Sequence, residues 1–569
     1  MTQREPFHLE TDVLVIGSGG AGMYAAIEAA RAGHRVVLAD RSLIGRSGGT
    51  VMAMMTVAVA LGAEGQDDPS CHLTDTLASG RGLCDERLSR LMCEEGPECI
   101  LEMDRWGVGW ARKDGAIHAA HAPGHDRPRC VYVDFLNTGP AVSKTLRKVL
   151  HDHDAVRRVG DLLIVDLVVS EGAVTGAVAL EISTGRVVTI ATPVTIIATG
   201  GLTRLFRRSS ASFNMGGDGY ALGLRAGARL IDMEFVQFFP IGHLAPRLIG
   251  LDPIMWDPFR YKLGGRLLNA DMEEFTGRYG TSEDGRYVIT RDAATYAITK
   301  EVEAGRGTPH GGAYLSFMHL GEEALRAAFG PVIDKLAANG IDLTRIPVEV
   351  APIAHYHMGG IAVDARMETG VPGLLAAGEA VGGANGANRL SGNAITEALV
   401  FGRRAGRTAA ERLAGASDHP PFRKADAAAA VDLVRVQGGD GDGKNTAAMV
   451  SELQAAMSDH AGPFKTAESL ASALAVIDDL EARMGEAPPG ATEAFAPSRV
   501  DWFDLRNMTL VARTVIEAAS RRTESRGAHQ REDFPGMLDD WTLNQFVALE
   551  NGRPVITTGP LRSDLEATA

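Results

Sequence analysis

Cysteine is scarce in this chain: Cys71, Cys84, Cys93, Cys99 and Cys130 make five, an odd number, with no Cys-x-x-Cys pair. That argues against a disulfide framework and against an iron–sulfur or zinc centre within the chain. Long apolar runs are missing as well, and nothing approaches the roughly 18 consecutive apolar residues that a bilayer span requires. The opening MTQREPFHLE has neither an apolar core nor a twin arginine, so nothing marks it for export and a reducing cytoplasm is the expected setting. Basic residues are outnumbered, 57 Lys and Arg against 72 Asp and Glu, for a net charge of -15. Phosphate contacts need clustered Lys and Arg, so nucleic acid is not the expected partner. What is present, 45% hydrophobic and 23% charged residues, is the make-up of an ordinary globular protein. Single cores stop growing at about 250–300 residues, so 569 residues imply several domains.

The chain is organised around its first fifty residues. Val13-Leu14-Val15-Ile16 is a continuous apolar run of the kind found in a parallel strand covered on both faces, and it leads into Gly17-x-Gly19-x-x-Gly22. An Ala-rich helix from Met23 to Arg31 closes at Gly33, and Arg35 to Asp40 reads as a second strand ending in an acid. The three glycines permit a tight turn, close approach of backbone to a pyrophosphate, and close packing of helix on strand. The helix N-terminus offers N–H groups and positive dipole to phosphates. Asp40 stands roughly 20 residues on, where such folds hold a ribose hydroxyl. The unit reads as a dinucleotide site.

Further on, small apolar residues from Val51 to Leu61 suit a stretch lying under a cofactor. Asp85 to Trp106 is an amphipathic helix packed on the core. His118, His121 and His125 fall in a Gly/Pro-containing loop rather than on one helix face, which does not suit a metal. Leu162–Val169, Ala173–Glu181 and Val187–Ile190 alternate as an antiparallel meander. Val194 to Ile197, followed by Ala198-Thr199-Gly200-Gly201, returns as a buried strand where backbone again closes on a dinucleotide. Residues 239–349 carry mixed polar and aromatic content and read as an inserted domain. Core motifs resume over 350–415, ending in a long helix from Ala394 to Leu413. From 416 to 569 the chain is charged and Ala-rich, with helical periodicity over Leu453–Met484 and Val500–Ser520.

These motifs together resemble the flavoprotein family of fumarate reductase and succinate dehydrogenase, which includes L-aspartate oxidase and adenylylsulfate reductase. The resemblance is carried by the glycine fingerprint, Met233-Glu-Phe-Val-Gln237, Thr290-Arg291-Asp292, His355-Tyr-x-Met-Gly-Gly360, Gly386-Ala-Asn-Arg-Leu390 and Thr523-Glu-Ser-Arg-Gly-Ala-His529 with Arg531-Glu-Asp-Phe-Pro535. It implies an α/β fold: a Rossmann-like FAD-binding domain (1–238 and 350–415), an inserted α+β capping domain (239–349) and a helical C-terminal domain (416–569). It implies FAD held by Gly17, Gly19, Gly20, Gly22, Asp40, Arg41, Ser47, Gly48, Gly49 and Thr50, and by Ala198, Thr199, Gly200 and Asp218. Later contacts fall at Glu379, Arg389, Ser391, Asn393 and Ala394. Members with covalent flavin carry an Arg-Ser-His motif; here the match is Arg46-Ser47-Gly48, so non-covalent FAD is expected.

The implied active site is only partly kept. His355 and Arg389 match the residues that hold one substrate carboxylate. The family's second clamp, a His and a Thr, is replaced by Phe239 and Trp256, which predicts a substrate wall of two aromatic rings. The implied proton route is Arg291 backed by Asp257 and Arg260, although a structural Arg–Asp–Arg network would use the same residues. The resulting expectation is an oxidoreductase interconverting a saturated and an α,β-unsaturated carboxylate or ketone by hydride transfer at flavin N5, on a monocarboxylate with a hydrophobic or cyclic body. One alternative is a dicarboxylate enzyme of the fumarate reductase or L-aspartate oxidase kind; another is a catalytically silent FAD-binding component of a complex. The electron partner, whether oxygen, a quinone or an iron–sulfur protein, is left open.

Overall fold

The structure, a computed structural model, describes residues 5–62, 67–134, 136–248, 254–256, 263–279, 291–330, 332–415, 419–436, 445–490 and 493–561. Two compact units emerge. The first comprises Met1–Arg207, Ala211–Val236 and Tyr356–Ala569; the second comprises Arg208–Ser210 and Gln237–His355.

The first unit is built on a five-stranded sheet in the order Leu374–Ala376, Val194–Ile197, Val13–Ile16, Val36–Ala39, Val156–Val159, all neighbours parallel. Val13, Leu14 and Val15 are 0% exposed, as their unbroken apolar run requires of a strand covered on both faces. The helix Gly20–Arg31 follows directly, and Ala-rich faces let it pack closely on the long helix Asn393–Ala414. Gly402 and Gly406 sit at that contact: a Cβ on either would stand 2.3 or 2.5 Å from the carbonyl of Ala21 or Ala25. The meander forms as expected, Leu162–Ser170 to Ala173–Glu181 to Arg186–Ala191, with Phe7–Glu10 added in parallel.

The C-terminal segment has the expected helices, clusters with the first unit, and adds strands that the helical reading does not include. Asn544–Glu550 and Arg553–Gly559 form a hairpin whose first strand pairs with Leu230–Ile231. The turn at Asn551-Gly552 between alternating runs is a hairpin signature that a reading for helical periodicity passes over. The stretch of helical periodicity over Leu453–Met484 falls in two helices, Thr446–His460 and Ala467–Met484. Ala461, Gly462 and Pro463 interrupt it, and Thr466 caps the second helix through a capping box.

The second unit is an α+β body. Its four-stranded sheet runs Val236–Ala245, Val348–His357, Ala313–Ser316, Arg266–Leu268, accompanied by helices Arg291–Glu303, Glu322–Phe329 and Val332–Ala338.

Candidate functional site

In the first unit the glycine cradle is tight. A Cβ on Gly22 would lie 1.9 Å from the Gly17 carbonyl oxygen, and one on Gly17, at φ +98°, would lie 2.4 Å from that of Ala198. The three backbones therefore touch, as a dinucleotide cradle requires. The helices at Gly20, Asp218 and Asn393 begin after Gly19, Gly217 and Gly392 respectively, N-cap residues with no side chain to cap the first turn. Uncapped N-termini of this kind are anion sites, so the residues present fit a dinucleotide such as FAD. Thr50 lies beside the first of them, its hydroxyl accepting the Gly20 N–H at 3.0 Å.

Asp40 is differently employed from what its position suggests. Its Oδ2 accepts the Ser18 N–H (2.9 Å) and hydroxyl (2.6 Å), and its Oδ1 accepts the Ser42 N–H and hydroxyl, both at 2.9 Å. A carboxylate has about four acceptor sites. All are taken by protein donors, so Asp40 braces the fingerprint loop, and a ribose hydroxyl reaches it only by displacing a serine. Ser42 and Ser47 share a 2.6 Å hydrogen bond and both accept from Asn214. Arg41 pairs with Asp504 and with Asp218, and Asp218 also accepts from Asn507. The Arg41 and Asp218 side chains thus tie the fingerprint to the helix Pro497–Arg521 instead of standing ready for a ligand. Ser18, Ser42 and Asn214 carry no sequence signal beyond their small polar character.

Across the cradle, partly buried Glu379 faces the second glycine pair. A Cβ on Gly201 would strike its carboxylate at 2.5 Å, and one on Gly49 would lie 3.6 Å from it. Its Oε1 accepts the His357 N–H at 3.1 Å. Burial, with the charge of Glu397 added, pushes the Glu379 carboxyl up to about 8, against the His357 N–H and Arg389, which pull it down. His357 is fully buried, with Nε2 3.0 Å from the Met233 carbonyl and Nδ1 3.0 Å from the Tyr220 hydroxyl; desolvation lowers its pKa to about 4.

Gly48, at φ +90°, has no atom within 4 Å of where a Cβ would stand, and its N–H donates to Ser212 at 2.6 Å. With glycine there, no imidazole is available at this point of the loop. Acid precipitation of the purified yellow protein is therefore expected to release the flavin into the supernatant, and flavin retained in the pellet overturns the expectation.

Arg389 is buried, its guanidinium carbon 4.6 Å over the Tyr356 ring, and it donates to the Leu390 carbonyl at 3.1 Å. Asn393, expected to touch the cofactor, instead spends its amide on His72, Thr76 and Asn385. The Ser391 carbonyl accepts from His125 at 2.8 Å, and His121 in turn bonds the His125 carbonyl. The histidine loop therefore closes on the Gly386–Asn393 segment, and the described residues contain no group of three or more His, Cys, Asp and Glu that could hold a metal. All five cysteines are free.

In the second unit, His355 Nδ1 lies 2.7 Å from the Ser210 hydroxyl, and its ring meets Phe239 edge-on with centroids 5.4 Å apart. The expected pair of aromatic rings is not brought together. Trp256 is 0% exposed, set against Phe317 and Phe329, with its indole N–H on His243 Nδ1 at 3.1 Å. A ring with no accessible surface presents none to a substrate, so Trp256 is core, while Phe239 lies nearly buried against His355. Asp257 and Arg260 lie outside the described residues, as does the side chain of Arg291, whose backbone opens the helix Arg291–Glu303. Among the described residues, no helix is long and apolar enough to cross a membrane.

Comparison with known proteins agrees with this geometry. Residues 12–395 match the family described as "FAD binding domain", and residues 450–566 that described as "Fumarate reductase flavoprotein C-term". A subunit of the "Fumarate reductase (CoM/CoB)" of Methanothermobacter marburgensis is 34% identical over 538 residues, 94% of this chain and 96% of that protein. "L-aspartate oxidase" of Streptomyces coelicolor is 33% identical over 564 residues, 95% of this chain and 91% of the other. The solved structure "Mycobacterium smegmatis Sdh1 in complex with UQ1" superposes with a TM-score of 0.90 at 33% identity, over 98% of this chain and 95% of that one.

Proposed function

We propose, from the premise that this chain belongs to the FAD-dependent flavoprotein family of fumarate reductase and succinate dehydrogenase, that its substrate is a dicarboxylate whose central carbon–carbon bond it oxidises or reduces. The chain is an FAD-dependent oxidoreductase acting on CH–CH bonds, as its fumarate reductase and succinate dehydrogenase relatives are. The dicarboxylate reading is carried by one observation: identity of about a third with a fumarate reductase polypeptide extends over 94% of the chain.

Bound FAD supplies the hydride acceptor or donor at N5. The chain's own residues hold and polarise the substrate. Arg389, backed by the Tyr356 ring, is the proposed carboxylate ligand. His355, whose Nδ1 is hydrogen-bonded to the Ser210 hydroxyl, is the proposed donor through Nε2 to a carboxylate oxygen, where it stabilises the negative charge that builds up during transfer. Arg291 is the proposed proton donor at the adjacent carbon. A guanidinium scarcely deprotonates at neutral pH, so its loss must be concerted with refilling from Asp257 and Arg260. Arg291→Lys and His355→Ala are each expected to abolish turnover while FAD stays bound; near-normal kcat in either overturns the assigned role. Since relatives are named as subunits and one solved complex holds UQ1, the proposed electron partner is a quinone-linked or iron–sulfur protein.

A second reading keeps one carboxylate and replaces the other with an apolar body. It is favoured by Phe239 on the ring of His355, and by His243, whose two nitrogens are committed to Pro246 and Trp256 and so offer nothing to a second anion. Burying an unpaired carboxylate against Phe239 would cost several kcal/mol, whereas a buried apolar group of side-chain size gains about 1.5–3 kcal/mol. Anaerobic mixing with succinate, fumarate (with reduced flavin), L-aspartate and cyclohexane carboxylates, read as a change in flavin absorbance, separates the two. Rapid turnover of succinate or fumarate alone supports the dicarboxylate reading; response to the ring compounds alone replaces it with the second.

A further inference from the structure

Beneath Arg389 lies a buried carboxylate for which the chemistry above has no use. Glu397 sits one turn into the helix Asn393–Ala414 and is 1% exposed. Its Oε2 accepts the Tyr356 hydroxyl and, at 2.7 Å, the Asn385 amide. Tyr356 is the residue whose ring carries the Arg389 guanidinium. One tyrosine therefore joins the two charges, the cation on its face and the anion on its hydroxyl. Behind this pair the network is closed. Asn393 donates to Asn385 at 3.3 Å and to Thr76 at 3.1 Å and accepts from His72 at 2.8 Å, all four residues being buried. Nothing in this packing demands an acid, because a glutamine oxygen would accept the same two hydrogen bonds.

We propose that Glu397 is a positioning residue for Arg389 that takes up a proton as an anion binds beside that guanidinium, so that anion affinity falls as pH rises through neutrality. The proposal rests on the reading of Arg389 as a carboxylate ligand. When ionised, Glu397 offsets the charge of Arg389 in a low-dielectric interior and weakens its pull on a second anion; when protonated, it leaves that charge to the ligand. The other titratable groups that feel it are Tyr356, Glu379 and Tyr220, with His72 reached through Asn393. Burial holds the Glu397 carboxyl up at about 7, although the bonds from Tyr356 and Asn385 and the charge of Arg389 pull it down. A further anion nearby raises it again, which is proton uptake on binding.

The test uses the FAD-loaded protein and two plain carboxylates, acetate and malonate, with Kd read from the perturbation of flavin absorbance. In the wild type, Kd is expected to rise with pH between about 6 and 8, by up to about tenfold per unit. Glu397→Gln is expected to bind both with no such dependence, at the affinity the wild type has at low pH. Calorimetry of the wild type in buffers of different ionisation enthalpy, which needs no variant, is expected to find up to one proton taken up per anion near neutrality. A pH slope kept in Glu397→Gln, or no proton uptake by the wild type, overturns the inference. Full anion affinity in Arg389→Gln, or no spectral response to either carboxylate at any pH, removes the reading of Arg389 itself and the inference with it.

Discussion

Gly22→Ala is expected to give colourless protein. The added Cβ would stand 1.9 Å from the Gly17 carbonyl oxygen and 3.3 Å from the Ala198 methyl, and the first of these is backbone that cannot rotate away. The helix Gly20–Arg31 must then lift from the strand Val13–Ile16, carrying with it the N-terminal N–H groups proposed to meet the FAD pyrophosphate. A displacement on the order of 1 Å typically costs a site of fixed geometry about a hundredfold, and a weakening of FAD binding by at least that factor is expected. Absorbance of the purified protein and titration of the apoprotein with FAD check it. Gly33→Ala is the control. Gly33 also has positive φ, +90°, but nothing lies within 4 Å of its Cβ position, so the change costs about 1–2 kcal/mol of backbone strain and leaves FAD in place. Equal flavin content in both variants would show that the close approach of Gly22 to Gly17 is not what forms the cradle.

The second large effect is expected at Arg522. Its guanidinium is completely buried and donates to Glu234 at 2.6 Å and Glu524 at 2.9 Å, themselves almost wholly enclosed, and to the carbonyls of Trp541 and Leu543. The rings of Phe235 and Trp541 both pack on it, each centroid 5.0 Å from the guanidinium carbon. Glu524 keeps Arg526 as a partner, but Glu234 would retain only the Gln545 amide. Removing one member of a buried pair leaves an uncompensated charge, and Arg522→Ala should cost about 3–5 kcal/mol. Whole-protein stabilities run at about 5–15 kcal/mol, so the variant should unfold at markedly lower denaturant or not accumulate. Arg522→Lys, which keeps charge but not the fork, should fall between the two. A loss below about 1 kcal/mol in Arg522→Ala would mean that the pair is dispensable.

Where the sequence can be read and where it cannot follows from the range of the interactions. The parallel strand Val13–Ile16, its glycine turn and helix are set by neighbours within about thirty residues, and those are legible. The meander and the long helix at Asn393 are legible for the same reason. Asp40 misleads because its partners Ser18 and Ser42 are silent in composition and become informative only when four donors converge on one carboxylate. Trp256 misleads because its surroundings, Phe317 and Phe329, come from elements more than sixty residues away. Glu397 looks like any polar residue in an Ala-rich helix until the fold sets it on Tyr356. The hairpin after Asn544 is visible in its Asn-Gly turn, but a search for 3.6-residue periodicity does not count turns.

Leu230–Ile231 pairs on one edge with Gly360–Ile361, but its other edge is taken by Asn544–Glu550, and Glu234 forms its ion pair with Arg522. On the ribosome, those residues therefore emerge and wait. About 300 further residues must be added, on the order of 15 to 60 s at usual elongation rates. Meanwhile the growing chain exposes an unpaired strand edge and a carboxylate without its counter-charge. A chain truncated before residue 522 is therefore expected to lack both partners at once, leaving that strand edge and the Glu234 carboxylate uncovered.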